Sequence, residues 1–160
     1  MARETKTAVP AVGREFLWHL DLIETRLLSL AEAFTPEQYH YRPAPDARAI
    51  REVLLHVAGG NRLGAASVGG PPLAQAELAR IEAAPLDKPA VIATLRESLA
   101  LLRRLAEATV NFDAETTLFG RAMTCREVLF IAAGHMHQHL GQLIAYARMN
   151  GVLPAWSNPA

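Results

Sequence analysis

The chain has 160 residues, long enough to bury a substantial core, and 51% of them are apolar, which excludes a disordered protein. Lys and Arg balance Asp and Glu at 16 each, and no run of positive charge stands out, so nucleic acid and anionic membrane surfaces find no electrostatic footprint. One cysteine, an N-terminus MARETKTAVPAVGREF that mixes charge before any apolar run, and no apolar stretch near the roughly 18 residues of a membrane span together lead to the expectation of a cytoplasmic protein without a membrane anchor.

In chain order the periodicity is helical. Phe16, Leu20, Ile23, Leu27, Leu30 and Phe34 recur at spacings of three and four, one apolar stripe on a long first helix with His19 beside it. Thr35-Pro36 ends it and caps a short following turn. YRPAPDAR is a proline-bearing connection. A second helix starts around Ala49, with Ile50, Val53, Leu54 and Val57 on its apolar face and His56 on the same side. Gly59-Gly60 permits a bend or a close approach there. Residues 69–86 are bounded by glycine and proline and read as a long crossover holding a short helix. Asp87 and Pro89 open a third long helix whose buried stripe is Val91, Leu95, Leu99, Leu102 and Ala106. Residues 110–123 read as a loop or hairpin-like excursion. The last helix opens with Thr124-Cys125-Arg126-Glu127, a capping box, runs to about Met149 and ends at Asn150-Gly151. The tail VLPAWSNPA reads as turn-like. Four long helices without an alternating strand pattern predict one all-α domain, a four-helix bundle over residues 1–160, in which the crossover lets the second and third long helices run parallel.

The last helix carries GHMHQHLGQL. His135 and His139, four apart, share a helix face, while His137 points elsewhere. An i, i+4 histidine pair can offer two imidazole nitrogens to one metal ion. Met136 stands where the glutamate of HExxH would be, which disfavours a metalloprotease of that type. A third ligand has to come from another helix: His56 is the best placed and His19 a weaker choice, no carboxylate being required. The competing reading of His56 is a hydrogen-bonded core histidine. Three neutral imidazoles with open positions suit zinc, nickel or another divalent transition ion. Gln142, one turn on from His139, is placed to orient a ligand, or else is a solvated side chain. His137 and His40 are expected in solvent, Cys125 as a buried structural thiol, and Trp18 and Trp156 in the core or an interface.

HMHQHLGQLIAYARMNGVLPAW resembles the last-helix signature of the DinB/YfiT-like superfamily, H-x-x-x-H-x-x-Q-L followed by Y-x-R-x-x-G-x-x-P, a family distinct from the DNA polymerase of similar name. YRPAPDARAIREVLLHVA resembles its second-helix signature, R-P-x-x-x-x-x-S-I-x-x-x-x-x-H. The resemblance implies a four-helix bundle in up-down-down-up order. It also implies a three-histidine divalent metal site carried by His56, His135 and His139, with nickel or zinc as the metal, and a homodimer. Some branches of the family are transferases or isomerases that use a low-molecular-weight thiol such as bacillithiol or mycothiol. This chain departs in two places: Ala49 stands where a capping serine or threonine is usual, leaving the cap to Asp46 or to nothing, and Gln138 and Leu140 replace a His and an Arg that often flank the second ligand.

Three functions follow as expectations. A metal-dependent enzyme, either a thiol-dependent S-transferase or a hydrolase acting on a small molecule, comes first, because an ion held by neutral ligands keeps its charge and open positions. A non-catalytic protein that binds a metal or small ligand is the second, and a DNA-binding stress protein, disfavoured by the neutral charge, is the third.

Overall fold

The computed structural model describes residues 8–157. The first seven residues, which belong to the N-terminal stretch read above, and the last three of the tail lie outside the described residues. The chain forms α1 (Ala11–Ala33), a 3-10 turn (Gln38–His40), α2 (Ile50–Ser67), α3 (Gln75–Glu82), α4 (Lys88–Ala108), β1 (Glu115–Leu118), β2 (Arg121–Thr124), α5 (Cys125–Met149) and a final 3-10 turn (Ala155–Ser157).

Helix boundaries have local chemical causes. Thr35 Oγ1 accepts from the Gln38 backbone N–H at 3.4 Å while Gln38 Oε1 accepts from Thr35 N–H at 2.9 Å, so the expected cap covers the 3-10 turn. Asp87 accepts from Ala90 N–H at 3.0 Å and starts α4. At α5, Thr124 Oγ1 accepts from Glu127 N–H and Glu127 Oε2 accepts from Thr124 N–H at 2.7 Å, a reciprocal capping box. Gly151, at φ +69°, reverses the chain, and Val152 N–H reaches Ala147 O at 2.8 Å. At the start of α2 the open choice between Asp46 and no cap falls to no side-chain cap at Ala49. The Ala49 N–H is taken by Glu52 at 2.9 Å, and Arg42 holds the same carboxylate at 2.7 Å. This is the glutamate half of a capping box; the hydroxyl half is absent, because Ala49 has no side-chain acceptor.

Packing fixes the helix directions. Lys88 Nζ, at the start of α4, donates to Glu32 O and Phe34 O at the end of α1, so α1 and α4 run antiparallel. Asn61 Nδ2 donates to Ser98 Oγ at 3.2 Å and Gly70 lies against Leu105, so α2 and α4 run parallel. Phe16 faces Leu129 and His19 faces His137, so α1 and α5 run parallel. The result is an all-α up-down-down-up bundle, and the crossover through α3 is what allows α2 and α4 to point the same way. The core runs along its axis, where Leu20, Ile23, Leu27, Leu54, Leu95, Leu99 and Leu102 are fully buried.

The segment read as a loop or hairpin-like excursion is a β-hairpin. Leu118 pairs with Arg121, leaving Phe119-Gly120 as a two-residue turn with both residues at positive φ, as a type I′ turn requires. Thr116 Oγ1 donates to Ser67 O, which ties the hairpin to the end of α2. Both tryptophans depart from the core placement considered for them. Trp18 is 64% exposed, and Trp156 sits at the surface under the Arg26 guanidinium, 5.4 Å from the ring centroid.

Candidate metal site

His56 comes from the middle of α2, and His135 and His139 from successive turns of α5. The bundle sets these two antiparallel helices side by side. One ligand-capable nitrogen from each ring falls within 4.8 Å of the other two, and this is the one such group of three His, Cys, Asp or Glu side chains among the described residues. Ring centroids are 4.9 Å apart for His56 and His135, 4.8 Å for His56 and His139, and 4.6 Å for His135 and His139, all at steep interplanar angles. Edge-on rings turn nitrogens toward a shared point, whereas a parallel stack would not. Gly60, one turn after His56, makes room: a Cβ there would lie 2.6 Å from His135 Cε1.

The surroundings set the tautomers. Glu82, at the end of α3, places Oε1 2.7 Å from His56 Nδ1. A carboxylate only accepts, so Nδ1 carries the proton and Nε2 presents its lone pair. Gln142 Nε2 donates to Tyr146 Oη at 2.9 Å, which leaves Gln142 Oε1 to accept from His139 Nδ1 at 2.8 Å. His139 Nε2 is therefore also a free donor atom. This is how a protein normally orients metal-ligating imidazoles.

The electrostatics agree. Burial, then the neighbouring His139 and His56 and the positive charge of Arg48, pull the His135 pKa from 6.5 down to about 4. Burial, His56 and Arg48 also lower His139, against the opposing hydrogen bond to Gln142. Both shifts favour the neutral ring at His135 and His139, the state a metal ion needs. His56 Nε2 lies 3.1 Å from His135 Nε2. Two lone pairs at that range repel unless a proton or a cation lies between them, and two nitrogens bound at about 2.1 Å to one ion stand roughly 3.0–3.4 Å apart. The residues present fit a divalent ion.

The other singled-out residues fall elsewhere. His19 and His137 are exposed and face one another edge to face at 6.0 Å, away from the cluster, so His19 does not join the ligand set. His40 is exposed and Cys125 is buried at the start of α5. The sequence reading missed Glu82 and Tyr146. Nothing in the sequence marks Glu82, because its contact depends on α3 folding back onto α2 across a glycine- and proline-rich link. Tyr146 was in reach: it lies four residues after Gln142, on the same helix face.

A cleft adjoins the cluster. His56, His135 and Glu82 close one end, and Leu63, Leu78, Leu118, Phe119, Val128 and Ile131 line the rest. A more polar groove lies on the other side of Glu82, bordered by Arg48, Arg51 and Glu52.

Comparison with known proteins places this geometry. The chain is 29% identical to the uncharacterized protein YjoA of Bacillus subtilis strain 168 over 124 residues, which is 76% of this chain and 80% of YjoA. A DinB-like protein from Bacillus cereus ATCC 10987 has the same fold, with a TM-score of 0.76 at 15% identity, covering 88% of this chain and 94% of that one. YfiT from Bacillus subtilis, described as a probable metal-dependent hydrolase with an unusual four-helix bundle topology, is similar with a TM-score of 0.67 at 17% identity, covering 96% of this chain and 91% of YfiT. Residues 19–143, most of the bundle and all three clustered histidines, match the DinB superfamily, and the chain belongs to that superfamily.

Proposed function

We propose that His56, His135 and His139 hold one divalent transition ion, nickel or zinc, and that the protein is a metal-dependent enzyme that joins a low-molecular-weight thiol to a small electrophile. The observation that carries the metal reading is the pair of outer hydrogen bonds, Glu82 to His56 Nδ1 and Gln142 to His139 Nδ1, which leaves lone pairs on the inward nitrogens. When bound, such an ion supplies Lewis acidity that lowers the pKa of a thiol or a water. The chain's own residues set the conditions for that chemistry. Neutral ligands leave the ion's charge uncompensated, and the apolar cleft beside the cluster limits water.

Thiol transfer is preferred to hydrolysis on one ground. The carboxylate beside the cluster, Glu82, is committed to His56 Nδ1. Attack by water benefits from a general base, whereas a thiol needs only deprotonation from a pKa already near 8.5. Hydrolysis is the second reading, supported by the likeness to YfiT. A homodimer accompanies both readings. Trp18 and Phe130 stand 64% and 68% exposed on α1 and α5, as apolar side chains at a subunit contact would be in the separate chain.

The test begins with elemental analysis of protein purified without a histidine tag, beside His56→Ala and His139→Ala. About one equivalent of nickel or zinc in the parent, lost in both variants while helical circular dichroism persists, is the expected result. Loaded protein is then given an aryl halide with a panel of small thiols, and separately a nitrophenyl ester. Thioether formation that depends on the metal supports transfer. Ester cleavage alone replaces it with hydrolysis, and neither activity leaves a non-catalytic metal-binding protein. A parent that takes up no nickel or zinc removes the metal reading.

A further inference from the structure

Two residues stand where local backbone chemistry disfavours them, and both line the apolar cleft beside the histidine cluster. The first is Gly64, a buried position within α2, where glycine is a poor helix former. Packing accounts for the nearby Gly59 and Gly60, since a Cβ would come to 2.7 Å from Leu78 Cδ1 at the one and 2.6 Å from His135 Cε1 at the other. Packing does not account for Gly64. A Cβ there would meet Ala132 Cβ at 3.6 Å and Val128 Cγ1 at 4.0 Å, ordinary contacts, and both of those residues line the cleft. The space that an alanine would take is the cleft itself.

The second is Phe119. It takes the first place of the type I′ turn at φ +52°, a position that favours asparagine and is costly for an aromatic residue. It is 74% exposed, so burial does not offset that cost. The hairpin that carries it is tied to the end of α2 through Thr116, and to the start of α5 by the Cys125 N–H, which donates to Ala114 O at 3.0 Å. A residue that breaks a local rule with no gain in packing points to a ligand at that place. Here two such residues, from separate elements, border one cleft.

The lining gives the chemistry of that ligand. Leu63, Leu78, Leu118, Val128 and Ile131 form the walls, and the polar side chains, His56, His135 and Glu82, close one end. No lysine or arginine is among the residues that line the cleft, so a carboxylate or phosphate inside it would lose hydration without gaining a counter-ion. The free volume is about 200 Å³, and a dry apolar cavity of about 150 Å³ takes one benzene ring. We infer that the cleft takes the neutral, apolar body of the substrate, a single six-membered ring or a chain of similar size, with Gly64 keeping its floor open and Phe119 flanking its mouth. This deepens the reading proposed above by naming the class of the small electrophile, and it rests on that reading for the chemistry at the cluster.

Two probes that share a ring and differ in charge, benzyl alcohol and benzoate, test it by ligand-observed NMR. They are titrated into nickel-loaded protein and into the metal-free His139→Ala variant, whose altered side chain does not line the cleft, with metal content measured on each sample. The two probes are compared in the metal-free variant, where benzoate has no ion to bind. Benzyl alcohol is expected to bind there at least about tenfold more tightly than benzoate. In the loaded parent, Gly64→Ala should raise the thermal midpoint by about 2 °C and lose about tenfold in benzyl alcohol affinity. Phe119→Asn should keep or raise the midpoint and lose about fivefold. A purely structural role at either position would not combine unimpaired stability with weaker binding. Equal binding of the two probes, or no binding of benzyl alcohol, overturns the neutral class. Affinity untouched by both substitutions takes the ligand out of the cleft, and a lowered midpoint in Gly64→Ala assigns that glycine to packing and overturns its role. Benzyl alcohol binding that persists in His139→Ala, or in a parent that takes up no nickel, supports the ligand class while the metal reading is judged by the metal content alone.

Discussion

His139 shows how much of the histidine cluster's geometry is set by residues outside the cluster. Its position in α5 sets which face it shares with His135, but its usable nitrogen is chosen by Gln142, and Gln142 is oriented in turn by Tyr146. Gln142→Leu keeps the volume and removes the acceptor, leaving the Nδ1–H of the buried His139 without its partner. Nickel or zinc affinity should drop about 10- to 100-fold, the usual cost of deleting such a support, while the helix content stays unchanged. Competition with a chromogenic chelator reads it, and unchanged affinity would show that ring orientation comes from packing alone. The neutral state of the rings has a consequence for stability. His135 has a folded pKa of about 4 against an ordinary 6.5. Above pH 6.5 it is neutral in both folded and unfolded chains. Between 6.5 and 4 the unfolded chain binds a proton that the folded chain refuses, so the stability of metal-free protein falls as pH falls through that window, and His139 adds in the same direction. Urea unfolding of metal-free protein at pH 7.5 and pH 5 measures it. Equal midpoints would mean that the rings are not shielded from protons.

At the scale of elements, α5 is the working helix and its start is fixed by side chains rather than by packing. Thr124 and Glu127 close the capping box at the point where the hairpin hands over to the helix. Thr124→Ala should cost about 1 kcal/mol of unfolding free energy, within the roughly 0.5–2 kcal/mol span of such caps, and leave metal stoichiometry as it was. Denaturant titration gives the number; a loss of metal as well would mean that the helix start and the site, three turns apart, are coupled. The sequence placed a short helix on the crossover, and α3 is that helix, but its role at the histidine cluster was not legible. It has no buried residues and only a short helical pattern, yet it delivers Glu82 to His56. A weak, solvent-facing helix leaves little trace in apolar periodicity, and its contact with the histidine cluster is the single one from Glu82 to His56. At Ala49 the hydroxyl half of the capping box is absent, and the glutamate half remains, with Glu52 on the Ala49 N–H and Arg42 on the same carboxylate.

For the whole molecule, the up-down-down-up arrangement puts α2 beside α5 and so makes one site from two distant segments. A bundle joined only by tight turns would place α2 and α4 antiparallel, and the crossover through α3 removes that constraint. The outer face of α1 and α5 keeps Trp18 and Phe130 exposed. If that face meets a second copy, light scattering behind a sizing column should give twice the 17.4 kDa of one chain, and Phe130→Asp should restore the single mass. A parent eluting at the mass of one chain would end the homodimer proposal. No helix among the described residues is long and apolar enough to cross a membrane.

By itself, the sequence determined the four long helices, the caps at Thr124 and Asp87, the pairing of His135 with His139 and the family signatures around His56, because each rests on spacing within one segment and on rules of local backbone chemistry. The tertiary structure decided what needs two segments at once. It chose His56 over His19 as the third histidine of the cluster, brought Glu82 to its edge, settled the loop-or-hairpin segment as a hairpin that carries Phe119 to the cleft, and left the tryptophans at the surface. Helical periodicity reports which face a residue occupies; which helix that face meets is set by chain direction and connection length, and these exist only once the bundle has closed.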